Sequence, residues 1–201
     1  MKKIFIGSHN LSKISEFKEI FSKTSITLVT PQELNIEQIP EEIGETFAEN
    51  SLLKAKFYAN LSGLPALADD GGLEIPILQN YPGVKTRRWD TDKILSDKEL
   101  AEKIFSKLSN YIGQERKAFL KTVITVYNPT NGNFIQKEGF IEGEIINTLT
   151  EKIENGYPIR SIFYIPKAGK LYSQFNKRDR EKYNHRKQIL KGMLKDINSL
   201  I

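Results

Sequence analysis

Leu67-Ala68-Asp69-Asp70-Gly71-Gly72-Leu73-Glu74 sets two adjacent carboxylates between an apolar run and a pair of glycines. Ala66-Leu67-Ala68 reads as a short buried strand. A carboxylate at the end of such a strand is costly to desolvate unless a cation stands beside it. The glycines let the chain turn sharply and let a ligand approach the backbone. The stretch predicts a metal-dependent site at a strand end.

Working outward, Phe47 to Leu61 is helical by pattern and is stopped by Gly63-Leu64-Pro65. Upstream, Ile4–Ile6 is a strand, Ile14, Phe17 and Phe21 form a helical stripe, and Ile26–Val29 is a second strand. Downstream, Ser96 and Glu99 make a capping box ahead of Leu100, Ile104, Phe105 and Leu108 on one helical face. Val123–Tyr127 and Phe134–Ile146 are strands around a turn containing Asn131-Gly132, Ile162–Ile165 is another strand, and Lys187 to Ile197 is a closing helix. Strands alternate with helices and then form a hairpin, which predicts an α/β fold with a mixed central sheet. Neither a GxGxxG fingerprint nor a Walker A motif is present.

A length of 201 residues suits one domain, or one core split into two lobes, and 39% hydrophobic with 27% charged residues is ordinary for a soluble globular chain. No apolar run approaches the roughly 20 residues that span a bilayer. The N-terminal MKKIFIGSHN reads as a first strand rather than a signal peptide. A cytoplasmic protein with no membrane partner is expected. The absence of cysteine excludes disulfides, thiolate metal sites and cysteine nucleophiles. Net charge is +5, yet Lys167 to Lys195 holds ten Lys or Arg against two acids, leaving the remainder slightly acidic. That asymmetry suits a phosphate-rich partner, or simply a solvated helix surface.

Four constellations could carry chemistry. Ser8-His9-Asn10-Leu11-Ser12-Lys13 lies between the first strand and the first helix, where unpaired N–H groups, side-chain donors and a lysine could cradle a triphosphate. The alternative is an ordinary Asn or Ser N-cap beside a surface lysine. Glu41 and Glu42 precede a glycine turn, and Asn50 and Lys54 share a helix face. A glutamate there could join Asp70 on Mg²⁺ while Lys54 reaches a phosphate, or the acids could serve only the helix dipole. Pro82-Gly83-Val84 with Arg87, Arg88 and Trp89 offers phosphate or stacking contacts, or a core tryptophan. Asn184-His185-Arg186 closes the set within the basic run.

The ordered series Ser-x-Asn-x-x-Lys, Glu-Glu-x-Gly-x-Thr-Phe-x-Glu-Asn-x-x-x-Lys, Leu-Pro-Ala-Leu-Ala-Asp-Asp-x-Gly-Leu, Pro-Gly-Val and a late His-Arg resembles the inosine triphosphate pyrophosphatase, or Ham1, family. The likeness is close from Met1 to Trp89 and thin beyond it. It implies a single domain of elongated α/β form over residues 1–201, two lobes with a substrate cleft between them, and a homodimer. It also implies Mg²⁺-dependent hydrolysis of a nucleoside triphosphate, of a non-standard purine, to monophosphate and pyrophosphate. By motif, Ser8, Asn10 and Lys13 would bind the phosphates with support from Lys54. Glu41 and Asp70 would hold the metal, and Asp70 would orient and deprotonate the attacking water, with Asp69 in support. His185 and Arg186 would contact the nucleotide from the other lobe, with Lys182 a further contact.

The departures from the family pattern are His9 where Gly is usual and Gly71 where Ser or Thr is usual, both at substrate-binding positions. The family's Phe-Gly-Tyr-Asp-Pro base-contact segment falls on Tyr157-Pro158-Ile159-Arg160. Tyr157 could still stack on a base, and Arg160 would shift base selection toward acceptor-rich edges or an extra phosphate. The competing expectations are a catalytically weak nucleotide- or nucleic-acid-binding protein on the same fold, and a metal-dependent phosphohydrolase that releases phosphate. Nucleic acid is not the expected partner.

Overall fold

The computed structural model describes residues 2–91, 93–148 and 152–201. Among these residues, eight strands form one mixed sheet in the order β2-β1-β3-β5-β6-β7-β8, with β4 paired to β3. They are β1 (Lys2–Ile6), β2 (Ile26–Val29), β3 (Ala66–Ile75), β4 (Tyr81–Pro82), β5 (Lys117–Tyr127), β6 (Phe134–Ile145), β7 (Phe163–Ile165) and β8 (Lys170–Leu171). The helices are α1 (Leu11–Phe21), α2 (Phe47–Ser62), α3 (Asp97–Lys107), α4 (Lys177–Tyr183) and α5 (His185–Leu200). β1 pairs in parallel with β2 and with β3, whereas β6, β7 and β8 pair antiparallel. α1 makes the β1–β2 crossover, and α2 leads into β3, as parallel neighbours require.

The chain divides into two compact units. The first holds residues 1–70, 122–139 and 185–201, and the second holds 71–121 and 140–184. Ile14, Phe17, Ile20 and Phe21 of α1 pack with Ile189, Leu190, Met193 and Ile197 of α5 over Ile4, Ile6 and Leu67 in the first unit. A smaller cluster there joins Phe5 and Ala66 to Tyr58 and Ala59 of α2. In the second unit, Leu73, Ile75, Trp89, Leu100, Ile104, Phe163 and Tyr172 belong to one core.

Local chemistry sets the helix limits. Thr46 with Glu49 and Ser96 with Glu99 form capping boxes for α2 and α3. Gly63 ends α2 with φ 68°, the left-handed conformation that favours glycine.

Three expectations change. β3 runs through Gly71 and Gly72 to Ile75, so the glycines are extended and the two aspartates lie inside a strand, not at its end. β5 begins at Lys117, because its charged positions are matched by partners: Lys117 pairs with Glu142 at 2.8 Å and Lys121 with Glu74 at 2.8 Å. α4 falls within a basic run that carries no helical apolar stripe, and its start is fixed by the Asn176–Asp179 capping box.

Candidate active site

The site grows from the register of β1 on β3. Phe5 lies opposite Ala66 and Ile6 opposite Leu67, and Gly7 N–H donates to Leu67 O at 2.7 Å. The loop that leaves the carboxyl end of β1 therefore meets β3 at mid-strand, where its aspartates stand.

Neighbouring side chains on a strand point to opposite faces. Leu67 and Asp69 share the face covered by α1 and α5, while Ala66 and Asp70 share the face covered by α2. One dipeptide thus serves two clusters. Asp69, 2% exposed, receives Lys13 Nζ at 3.1 and 3.2 Å. Arg186 Nε and Nη2 donate to Asp69 Oδ2 at 3.1 and 3.0 Å, and its Nη1 donates to Glu16 at 2.9 Å. On the other face, Lys54 Nζ lies 3.0 Å from Asp70 Oδ1 and 2.7 Å from Glu42 Oε1.

The loop carrying Glu42 is held by the helix that carries Lys54. Asn50 Oδ1 accepts from Gly44 N–H at 2.8 Å, and Asn50 Nδ2 donates to Gly44 O at 3.3 Å. A Cβ at Gly44 would stand 2.7 Å from Asn50 Oδ1, so glycine is required by this approach. Exposure alternates along this segment, with Glu41 and Ile43 exposed and Glu42 and Gly44 half-buried. The glutamate that reaches Lys54 is Glu42, while Glu41, the expected metal ligand, is exposed.

The electrostatics of the two clusters differ. Burial pushes the Asp69 carboxyl up, but Lys13 and Arg186 outweigh it and hold the group well below the usual carboxylate range. Burial raises Asp70 too, and here Lys54 only partly offsets it while Glu42 adds to it, so Asp70 sits above its ordinary value. Burial lowers the Lys54 ammonium, yet Asp70 and Glu42 more than restore it and its pKa is raised. Lys13 is lowered by burial, which Asp69 only partly opposes and to which Arg186 and Lys54 add. Lys13 and Arg186 share Asp69, and Arg186 also reaches Glu16, whereas the Lys54 ammonium is shared between Asp70 and Glu42.

Glu42 and Asp70 offer hard oxygens of the kind Mg²⁺ prefers. Among the described residues no group of three or more His, Asp or Glu could hold a metal unaided. Glu42 and Asp70 fit an ion whose remaining ligands are water and phosphate oxygens.

At the β1–α1 loop, Asn10 Oδ1 accepts from Ser12 N–H at 3.0 Å and Lys13 N–H at 3.2 Å, and Ser8 Oγ accepts from Asn10 N–H at 3.2 Å. Asn10 is thus the N-cap of α1. His9 is half-buried with its ring 6.2 Å from that of Tyr58. His185 pairs with Thr122 at 3.0 Å. His185 and Arg186 belong to the same unit as Asp69, where Arg186 is a buried partner of the aspartate, which corrects their assignment to the opposite lobe.

In the second unit the expected base contacts are engaged within it. Arg160, 4% exposed, stacks its guanidinium 3.5 Å from the Tyr157 ring centre and 4.9 Å from that of Tyr172, and donates to Glu154 at 3.3 Å. It is not aimed outward at a base or phosphate, because two rings and a carboxylate already occupy it. Arg87 ties Asp97 at 2.6 Å and Gly156 O at 3.4 Å, and Trp89 is a core residue. Lys182 is exposed, its ammonium 4.7 Å from the Tyr183 ring centre. Gly71 is an exposed strand residue. Much of the basic run is internally paired: Lys170 with Asp179, Arg180 with Glu154, Arg186 with Asp69 and Glu16, and Lys187 with Glu19.

Sequence reasoning missed Glu16 and Thr122, the partners of Arg186 and His185. Glu16 stands one position outside the apolar stripe of α1 and carries no motif of its own.

Fold and site together define an α/β protein that gathers carboxylates, two lysines and an arginine around the middle of β3, beside the carboxyl end of β1. The chain belongs to the Ham1 family, whose model matches residues 4–196. A dITP/XTP pyrophosphatase of Thermus thermophilus is 34% identical over 192 residues, covering 96% of this chain and 90% of that protein. One from Wigglesworthia glossinidia brevipalpis is 36% identical over 200 residues, covering 99% and 98%. A Ham1 protein structure from Coxiella burnetii superposes with a TM-score of 0.85 at 30% identity over 99% of this chain and 100% of that one. The Staphylococcus aureus Ham1 structure gives 0.82 at 31% identity, covering 98% and 99%. Kinship thus extends well past Trp89, where the motifs alone had become thin.

Among the described residues, no helix is long and apolar enough to cross a membrane.

Proposed function

We propose that this protein hydrolyses dITP, XTP and related non-standard purine nucleoside triphosphates to the monophosphate and pyrophosphate. The names of its relatives support the substrate class, and the charge arrangement around Asp70 supports the reaction. The observation that carries the reading is Lys54 held between Glu42 and Asp70, two carboxylates beside one ammonium.

In this reading Glu42 and Asp70 hold Mg²⁺, which neutralises phosphate charge and polarises the phosphoryl group when bound. Lys13 and Lys54 neutralise the triphosphate chain. Ser8 and the first N–H groups of α1 add donors at its positive end. Asp70 orients the attacking water and takes its proton at a carboxylate oxygen. Asp69 holds Lys13 in place, itself fixed by Arg186. Tyr157 offers a ring to the purine, and Arg160 supports that ring from within the protein, so the base preference follows that of the relatives. A homodimer in the cytoplasm belongs to the same reading, on the family likeness.

Product analysis tests it. The protein with Mg²⁺ and a panel of ITP, XTP, dITP, GTP, ATP and pyrimidine triphosphates should yield monophosphate and pyrophosphate from the first three. Asp70→Asn should lower turnover by at least about a thousandfold while nucleotide still binds. Release of inorganic phosphate, or full activity in Asp70→Asn, would refute the assignment.

A further inference from the structure

A glycine beside a functional side chain is a soft joint, because it has the widest choice of backbone angles. Gly156 stands immediately before Tyr157 and adopts φ 77°, the left-handed conformation that favours glycine. One ion pair grips the chain on both sides of it. Asp97, the first residue of α3, accepts the Gly156 N–H at Oδ2 over 2.7 Å, and Arg87 Nη2 donates to Gly156 O at 3.4 Å. Arg87 Nη1 donates to Asp97 Oδ1 at 2.6 Å and closes the ring of contacts. The N–H belongs to the peptide that precedes Gly156 and the carbonyl to the peptide that follows it. The two contacts together therefore restrain both backbone angles of that one residue.

The clamp is itself anchored. The Arg87 carbonyl accepts from Leu95 N–H at 2.8 Å, and Arg87 Nη1 also reaches Leu95 O at 3.5 Å. The Ser96–Glu99 capping box fixes the start of α3, where Asp97 stands. Past the glycine, Tyr157 N–H donates to Glu154 O at 3.0 Å, closing the turn that carries Gly156. Arg160 bears on the Tyr157 ring, whereas Arg87 and Asp97 act on the backbone that presents it. The Arg87 and Asp97 side chains are 39% and 23% exposed, and an ion pair with that access to water adds little to stability. What a planar guanidinium and a two-oxygen carboxylate supply here is direction, since each spends one end on its partner and the other on Gly156.

We propose that Arg87 and Asp97 are positioning residues for the nucleotide base, acting through Gly156 to set the angle at which Tyr157 meets the purine. This rests on the reading that Tyr157 offers its ring to the purine. Its consequence is a contribution to substrate binding that depends on the base and is indifferent to the phosphate chain.

A double-mutant cycle on the complete protein with Mg²⁺ tests the clamp. Arg87→Met and Asp97→Ala should each raise KM for ITP on the order of fivefold and leave kcat within about twofold. The inhibition constant of inorganic tripolyphosphate, which has no base, should stay within about twofold of the parent. Tyr157→Ala should raise the same KM roughly tenfold or more, and in that background Arg87→Met should change it little, because both effects run through one ring. A merely structural role would act equally in the two backgrounds. Should Asp97→Ala fail to fold, Arg87→Met, made on the more exposed side chain, completes the cycle. Three results would overturn the clamp and leave the Tyr157 contact standing: an equal effect of Arg87→Met with and without Tyr157, a KM unmoved by Arg87→Met while Tyr157→Ala raises it, or a tripolyphosphate constant that moves in step with KM. A KM for ITP unchanged in Tyr157→Ala, or no hydrolysis of ITP by the parent, would remove the base contact and the clamp together.

Discussion

Replacing Arg160 by alanine should cost stability and leave base choice alone. The side chain is 4% exposed, its guanidinium lies 3.5 Å from the Tyr157 ring centre and 4.9 Å from that of Tyr172, and it donates to Glu154. A desolvated cation–ring contact is worth about 2 kcal/mol, with the longer contact worth less. Breaking a buried ion pair costs about 3–5 kcal/mol when the partner is stranded. Glu154 is not stranded, because Arg180 stands 3.8 Å from the same oxygen, so only a fraction of that cost applies. Together these give about 3 kcal/mol. With a urea dependence of roughly 2–3 kcal/mol per molar, the unfolding midpoint should fall by about 1 M. The assay pairs urea melts with kcat/KM for ITP, XTP, dITP and GTP. All four substrates should change together as the support under Tyr157 is lost, and their ratios should stay within about threefold. A destabilisation under about 1 kcal/mol, combined with a tenfold change in the ITP-to-GTP ratio, would show that the guanidinium meets the base and would refute the argument.

Glu42→Gln should lower kcat/KM at limiting Mg²⁺ by on the order of a hundredfold and raise the Mg²⁺ concentration required, whereas Glu41→Gln should stay within about twofold of the parent; Mg²⁺ titrations of both variants distinguish them. Asn50→Ala removes both clamps on Gly44 and should cost about 2 kcal/mol by chemical unfolding, with a larger loss of activity than of stability as Glu42 comes loose. For Asp69, the folded pKa is depressed below the unfolded value near 3.9, so its pairing energy is complete above about pH 4 and is lost as pH falls from there through the folded value. Asp69→Asn should therefore be destabilised by about 3 kcal/mol at neutral pH, with the gap to the parent closing in acid. Thermal melts from pH 7 down to pH 2 read this directly, and a gap independent of pH would contradict it.

The parts legible in the sequence are those whose signal is local. Ser96 with Glu99, Gly63 and the Ile14–Phe17–Phe21 stripe each fix a helix from side chains within a turn or two, and each appears in the structure. The Asn131-Gly132 turn joins β5 to β6 as expected, with Gly132 at φ 72°. What was not legible depends on partners far along the chain. Lys117 and Lys121 lengthen β5 because Glu142 and Glu74 answer them. Arg160 looks like an outward cation until Tyr157, Tyr172 and Glu154 close around it. Arg186 looks like a nucleotide contact until Asp69, more than a hundred residues earlier, takes two of its donors.

The adjacent aspartates show why residue type came through more clearly than role. As a dipeptide, Asp69-Asp70 reads as one acidic site with a leading and a supporting member. Once β3 continues through Gly71 and Gly72, the two-residue period of a strand sends the carboxylates to opposite faces. There the helices decide their chemistry: α1 and α5 bring two cations to Asp69, while α2 brings Asp70 one lysine that it must share with Glu42. Exposure also differs between Glu41 and Glu42, where one residue separates solvent from the Lys54 contact. Asp69, kept ionised by two cations, serves as an anchor. Asp70, whose burial Lys54 only partly offsets, sits above its ordinary pKa and is the carboxylate that the proposed mechanism assigns to the metal and the water.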